Sequence, residues 1–219
     1  MTQVEAAFAA PASRLQLFIL LDYFTSDPEF QLHAADFARH PLMNSLLNSL
    51  LLDNSSTICA IGLTMLVKLL PIFAVNACEE LKIFLPRLFV ILARIICWEE
   101  LASSVPPSAV LADVDDGHFG AGKQAGLAAL ELRPELGWER LELRLNTSPA
   151  PPSDAYFSSL YYLFPCNLIR FVRGPAAYLR DRGYESPYIV NWEDALDEDN
   201  IRSKSEVCTP TCLFHLPFP

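Results

Sequence analysis

Residues 117 to 124 read Gly-His-Phe-Gly-Ala-Gly-Lys-Gln, the glycine and lysine spacing with which a loop cradles nucleotide phosphates. That chemistry also needs a Ser or Thr after the lysine, whose hydroxyl holds magnesium, and a buried strand before the loop. Gln124 stands where the hydroxyl is required, and Ala112-Asp113-Val114-Asp115-Asp116 is a poor buried strand. A plain glycine-rich loop is the favoured reading, and no cofactor is expected. Cys208, Cys212 and His215 approach a metal-ligand spacing, but a zinc site takes a fourth ligand on a short rigid framework. No metal is expected there. His33, His40, His118 and His215 are scattered, so no nucleophile and base pair can be defended and no enzyme activity is expected.

Two further clusters could act by contact. Arg170, Arg173, Arg180 and Arg182 could hold an anionic lipid headgroup. Asp181 lies among them, and Glu193, Asp194, Asp197, Glu198 and Asp199 follow. A solvated face, or pairing with this acidic stretch, is therefore the favoured reading. Phe164-Pro165-Cys166-Asn167 reads as a break between helices: the proline stops one, and the Asn167 side-chain oxygen is able to cap the next.

The elements that must position these residues are helices. The chain has 219 residues, 52% of them hydrophobic and 19% charged, enough to bury a sizeable core. Its net charge of −10 argues against sequence-independent nucleic-acid binding, which rests on Lys and Arg neutralising phosphates. Cys59, Cys78 and Cys97 sit inside apolar runs, where a thiol behaves as a small buried hydrophobe, which suits a reducing compartment. Residues 1 to 12 lack the basic start and apolar stretch of a secretory signal, so a cytosolic location is expected.

Ser13 is a plausible N-cap for a helix over 13–24 that carries Leu17, Leu20, Leu21 and Phe24 on one face. Asp27-Pro28 starts a second helix, to Arg39, with Phe30, Ala34 and Phe37 inward, and Pro41 starts a third. That third helix ends at Asp53. A polar turn follows, and a longer helix begins with Ser55 as its cap. Two apolar helices joined by so short a turn pack antiparallel, and such pairs stack on neighbours to cover their remaining faces. Residues 76–98 form another long helix on which Glu80, Arg87 and Arg94 recur every seven residues along one stripe. These charges, and a Lys68 that would cost about 2.5–3.5 kcal/mol inside a bilayer, favour buried solenoid helices over transmembrane ones. Pro71 and Pro86 are expected to kink or end their helices.

Residues 102–153 hold most of the glycines and several prolines and read as a long loop or insertion. Within it Leu141, Leu143 and Leu145 alternate with charged residues, as in a short strand or a covering segment. Helical spacing returns with Phe157, Leu160, Tyr161 and Phe164. After Pro165 it continues with Leu168, Phe171 and Val172, up to Gly174-Pro175.

The run from Leu160 to Arg173, with its Phe164-Pro165-Cys166-Asn167 core, resembles the signature of the hamartin family. The segment from His40 to Phe73 is similar to that family's helix pair around a short turn. Residues 174–183 and 200–206 resemble fungal members, and the matches follow the family's order over about 13–98 and 154–206. The resemblance implies a non-catalytic scaffold subunit that binds a tuberin-like GTPase-activating protein. It would thereby support GTPase activation on a Rheb-like small GTPase and restrain TOR signalling, with peripheral contact to lysosomal or vacuolar membranes. The family's long coiled coil, a main contact for tuberin, has no counterpart in these residues.

The expectation is thus an all-α, HEAT-like helical-repeat solenoid of antiparallel helix pairs with a long loop insertion. Its segments are a helical repeat over 12–101, the Pro/Gly-rich insertion over 102–153, a continuation of the helical domain over 154–206 and an irregular tail over 207–219. Two alternatives stay open: an unrelated helical-repeat adaptor in membrane trafficking, and a small helical membrane protein.

Overall fold

The computed structural model describes residues 7–98, 127, 130–141 and 151–214, with side chains as far as Cys208. The fold is all-α, with no strand among the described residues. After a 3-10 turn at Pro11–Ser13 come α1 (Arg14–Thr25), α2 (Phe30–Arg39), α3 (Pro41–Leu52), α4 (Ser56–Asn76) and α5 (Cys78–Ile96). A second 3-10 turn, Pro134–Leu136, precedes α6 (Asp154–Leu163), α7 (Pro165–Arg173), α8 (Pro175–Asp181), α9 (Trp192–Ala195) and α10 (Glu198–Phe214).

Local chemistry sets most of these boundaries. Asp27 Oδ1 accepts from Glu29 N–H (2.8 Å) ahead of α2. His40 Nδ1 accepts from Leu42 N–H at the start of α3, where Pro41 needs no donor partner. Ser55 Oγ accepts from Ile58 N–H and caps α4, as its position in the sequence suggests. Pro165 and Pro175 each open a helix, and Phe164 and Gly174 leave helical geometry between them.

Several expectations are corrected. The inward face of α1 is Arg14, Phe18, Leu21 and Thr25, whereas Leu20 and Phe24 are 57% and 47% exposed. The apolar residues of α1 run nearly all round it, so periodicity alone could not choose the side. Neither Pro71 nor Pro86 ends its helix; both lie inside continuous ones. Helix α10 extends to Phe214, into the stretch read as an irregular tail from 207. Ser13, for its part, makes no capping bond.

Helix α4 lies at the centre, touching α1, α2, α3, α5 and α6. It is long and apolar enough to cross a membrane, and half of its most apolar window is buried against these neighbours. Lys68 on its flank pairs with Asp22 and donates to Ser26 Oγ, both on or just after α1. Gly62 lets α1 and α4 meet: a Cβ there would stand 2.8 Å from Phe18 Cε1 and nearer still to Leu50 Cδ2. The Glu80, Arg87 and Arg94 stripe of α5 faces α2 and α3, where Glu80 accepts from Arg39 (2.6 Å) and Arg87 donates to Asn44 Oδ1 (3.1 Å). On the far side of α5, Phe89 joins Phe171 of α7 and Tyr178 of α8, with ring centres 5.2 and 5.5 Å away. Tyr156 of α6 anchors to the Leu88 carbonyl (3.0 Å). Of the apolar-run thiols, Cys59 is buried and Cys97 half-buried, but Cys78 is exposed at the first turn of α5.

Candidate functional site: a buried polar knot and an exposed basic face

A charged group placed inside an apolar core must find charged or hydrogen-bonding partners. Arg14 and Asp53 are both fully buried, 2.6 Å apart. Asp53 Oδ1 accepts also from Trp138 Nε1 (3.1 Å) and Leu141 N–H (3.0 Å), and Oδ2 accepts from Ser49 Oγ. Arg14 in turn donates from Nε to the Phe8 carbonyl (2.9 Å) and from Nη2 to Ala9 (3.1 Å), with Trp138 stacked 4.1 Å over its guanidinium. Arg94 completes the knot from α5, donating to the carbonyls of Leu50 and Asp53 and to Asn54 Oδ1. Cys59 lies 3.8 Å from Arg94 Nη1. Burial raises its thiol to about 11, and the guanidinium only partly offsets this. Such a thiol is inert at neutral pH. The knot ties the N-terminal segment, the α3–α4 turn, α5 and the returning strap 130–141 together, so its chemistry is architectural.

The sequence predicts a loop insertion over the strap. Its other end pairs with the segment before α9: Ile189 N–H donates to Glu131 (3.0 Å) and Arg133 N–H to Pro187 (2.9 Å), around an isolated antiparallel bridge of Leu132 with Tyr188. As far as Leu141 it is the covering segment, whereas Leu143 and Leu145 lie outside the described residues. Gly117 to Gln124 lie outside them too, as do the side chains of Cys212 and His215.

The Phe164-Pro165-Cys166-Asn167 motif forms the break between α6 and α7. Asn167, however, does not cap α7. It lies inside the first turn, and its Oδ1 accepts from Arg182 Nη2 (2.8 Å) and Tyr178 Oη (3.4 Å), pinning α8 to α7. The four arginines are brought to one region and are exposed. Arg180 pairs with Glu193 (2.7 Å), Arg170 reaches Asp181 at 3.9 Å, and Arg182 is held by Asn167 and by the Tyr178 ring. The backbone carbonyl of Arg173 accepts from Arg202. Arg170 and Arg180 thus have carboxylate partners, and Arg182 a neutral one.

Arg14, Asp53, Arg94 and Trp138 were not singled out from the sequence as a group. A signal existed: Arg14 lies in helical register with Phe18, Leu21 and Thr25, and Arg94 interrupts an apolar run, so each demanded a buried partner.

No protein-family profile and no curated protein matches this chain. Solved structures do. A structure described as "TSC1 N-terminal domain" aligns over 94% of this chain and 41% of its own length, with a TM-score of 0.57 and 23% identity. Another, "Structure of TSC1 NTD and linker domain", aligns over 94% and 40%, with a TM-score of 0.59 and 21% identity. The chain shares its fold with the TSC1 (hamartin) N-terminal domain. The likeness is one of fold. This chain spans about two fifths of the length of those matched chains.

Proposed function

We propose that this chain is a hamartin-like, non-catalytic scaffold that docks a tuberin-like GTPase-activating protein. In that complex it supports GTPase activation on a Rheb-like small GTPase and so restrains TOR signalling. The observation that carries the reading is the likeness to the TSC1 N-terminal domain over nearly the whole chain. It is joined by the ordered sequence motifs around Phe164-Pro165-Cys166-Asn167. Arg14, Asp53 and Arg94, the buried charges, are consumed in holding helices together, which suits a rigid docking body. The place of action in this proposal is the cytoplasm, at the periphery of lysosomal or vacuolar membranes.

The test is affinity purification of the full-length gene product followed by mass spectrometry. A tuberin-like protein at near-stoichiometric yield is the expected result, and its absence under conditions that retain other partners overturns the reading. Charge reversal at Arg170 and Arg173 is expected to leave binding to phosphoinositide-containing liposomes unchanged, because Arg170 reaches Asp181 and Arg180 pairs with Glu193 within the protein.

A further inference from the structure

A cleft of about 220 Å³ opens where α3, α5, the strap and the segment before α9 converge. Leu51, Leu52, Leu136 and Pro187 give it apolar walls, and Arg87 and Arg133 bring two guanidinium groups to it. Small-molecule sites run to roughly 300–1,000 Å³, so this space suits one or two side chains of a peptide better than a nucleotide or cofactor.

The surroundings of Arg87 identify the occupant. It is half-buried, yet its partners among the described residues, the Asn44 amide oxygen (3.1 Å) and Tyr184, whose hydroxyl accepts from it and whose ring centre is 6.0 Å away, are both neutral. Its stripe-mates are placed differently: Glu80 pairs with Arg39, and the fully buried Arg94 donates from both Nη atoms to carbonyl and amide oxygens, its Nε alone being left without a hydrogen bond. Arg87 therefore keeps donors in excess of its acceptors at a partly desolvated position, where a carboxylate is worth most as a bidentate partner. Tyr184 is itself fixed, stacked 5.8 Å from Trp192 and holding Trp192 Nε1 on its carbonyl (2.7 Å), so the guanidinium stands on a rigid platform. Arg133 reaches Glu185 at 3.2 Å, but that carboxylate is 84% exposed; such a rim pair is weak and yields readily. The net charge of −10 does not close the site, because distant charges are screened beyond roughly 8 Å at physiological salt while Arg87 and Arg133 are adjacent.

We infer that this cleft docks an acidic side chain flanked by apolar residues, presented by a peptide segment of a partner protein. The carboxylate would meet Arg87, with Arg133, its Nε held on the Tyr188 carbonyl (3.1 Å), turning its Nη groups from Glu185 to join it, and a neighbouring leucine-sized side chain would pack on the exposed Leu136. The inference rests on the reading of the chain as a docking subunit, but not on which protein it docks.

The experiment uses the whole chain with its arginine Nε–Hε groups followed by NMR. Three probes are titrated: the peptide acetyl-Leu-Glu-Leu-amide, its Gln counterpart, and inorganic phosphate. The Glu peptide is expected to shift the Arg87 signal saturably, with a midpoint at least tenfold lower than that of the Gln peptide or of phosphate. Arg87→Met, with its unfolding midpoint measured alongside, is expected to weaken the Glu peptide at least tenfold. No saturable shift, equal midpoints for the Glu and Gln peptides, or phosphate binding as tightly would each overturn the inference. The wild-type comparison decides this even where the variant is unstable, and a negative result leaves co-purification of a tuberin-like protein as an independent test of the scaffold reading.

Discussion

The first five helices and the last five use charge in opposite ways. In α1–α5 the decisive charges are buried: Arg14 and Asp53 are wholly enclosed, and Arg94 is 1% exposed. In α6–α10 the pairs Arg170–Asp181, Arg180–Glu193 and Arg202–Asp199 all lie at the surface, with side chains about half exposed or more. Enclosed charges must be matched in position or the fold loses several kcal/mol, so they specify how helices meet. Surface pairs contribute at most about 1 kcal/mol each and leave the backbone arrangement to the apolar contacts beneath them. Buried polar geometry thus specifies contacts within the first half, whereas the second is held by apolar contacts such as Phe171 with Tyr178, which also pack on Phe89 of α5.

The largest effect expected from breaking this contrast is at Asp53. Asp53→Ala leaves Arg14 buried without its carboxylate and strips acceptors from Ser49, Trp138 and Leu141, a loss of about 3–5 kcal/mol. Urea unfolding measures it; a loss under about 1 kcal/mol would mean that the knot is not the keystone proposed for this half.

Alkaline pH should reach the same half through Cys59. Its thiol is raised from 9.0 to about 11 by burial, so the neutral form contributes stability that is fully present below about pH 9 and is lost as pH rises through about 11. The urea midpoint should fall across that window, and Cys59→Ala should flatten that part of the fall. An equal fall in the variant would assign it to other groups, Tyr188 first among them, since burial raises its hydroxyl to about 12.

In the second half the effects shrink. Asn167→Ala removes an acceptor shared by Arg182 and Tyr178 and should lower stability by about 1 kcal/mol, without selective loss of partner binding. Arg180→Ala, which breaks the exposed pair with Glu193, should change stability by less than about 0.5 kcal/mol. If Arg180→Ala instead matched Asp53→Ala, the contrast between the halves would fail.

The caps and breakers written into the sequence located several helix starts: Pro41, Ser55 and Pro165 act through their immediate neighbours, so local chemistry suffices to place them, whereas α2 begins at Phe30, past Asp27-Pro28, and Pro175, expected to close α7, opens α8. The inward face of α2 at Phe30, Ala34 and Phe37 was legible for the same reason, because polar residues occupy its other side. Where apolar residues surround a helix, as in α1 and α4, the sequence does not say which side turns inward; the neighbours that arrive from elsewhere in the chain decide it. The basic face was legible as a set of residues, whereas its ion pairs and the true role of Asn167 depend on how α8 folds back on α7. The polar knot was the least legible, since it joins residues 14, 53, 94 and 138 across four separate segments. The sequence alone determined where the helices begin and that they must stack, because capping and apolar periodicity are local properties. Only the tertiary structure decided which charges are enclosed, because the partner of a buried group is chosen by packing between segments distant along the chain.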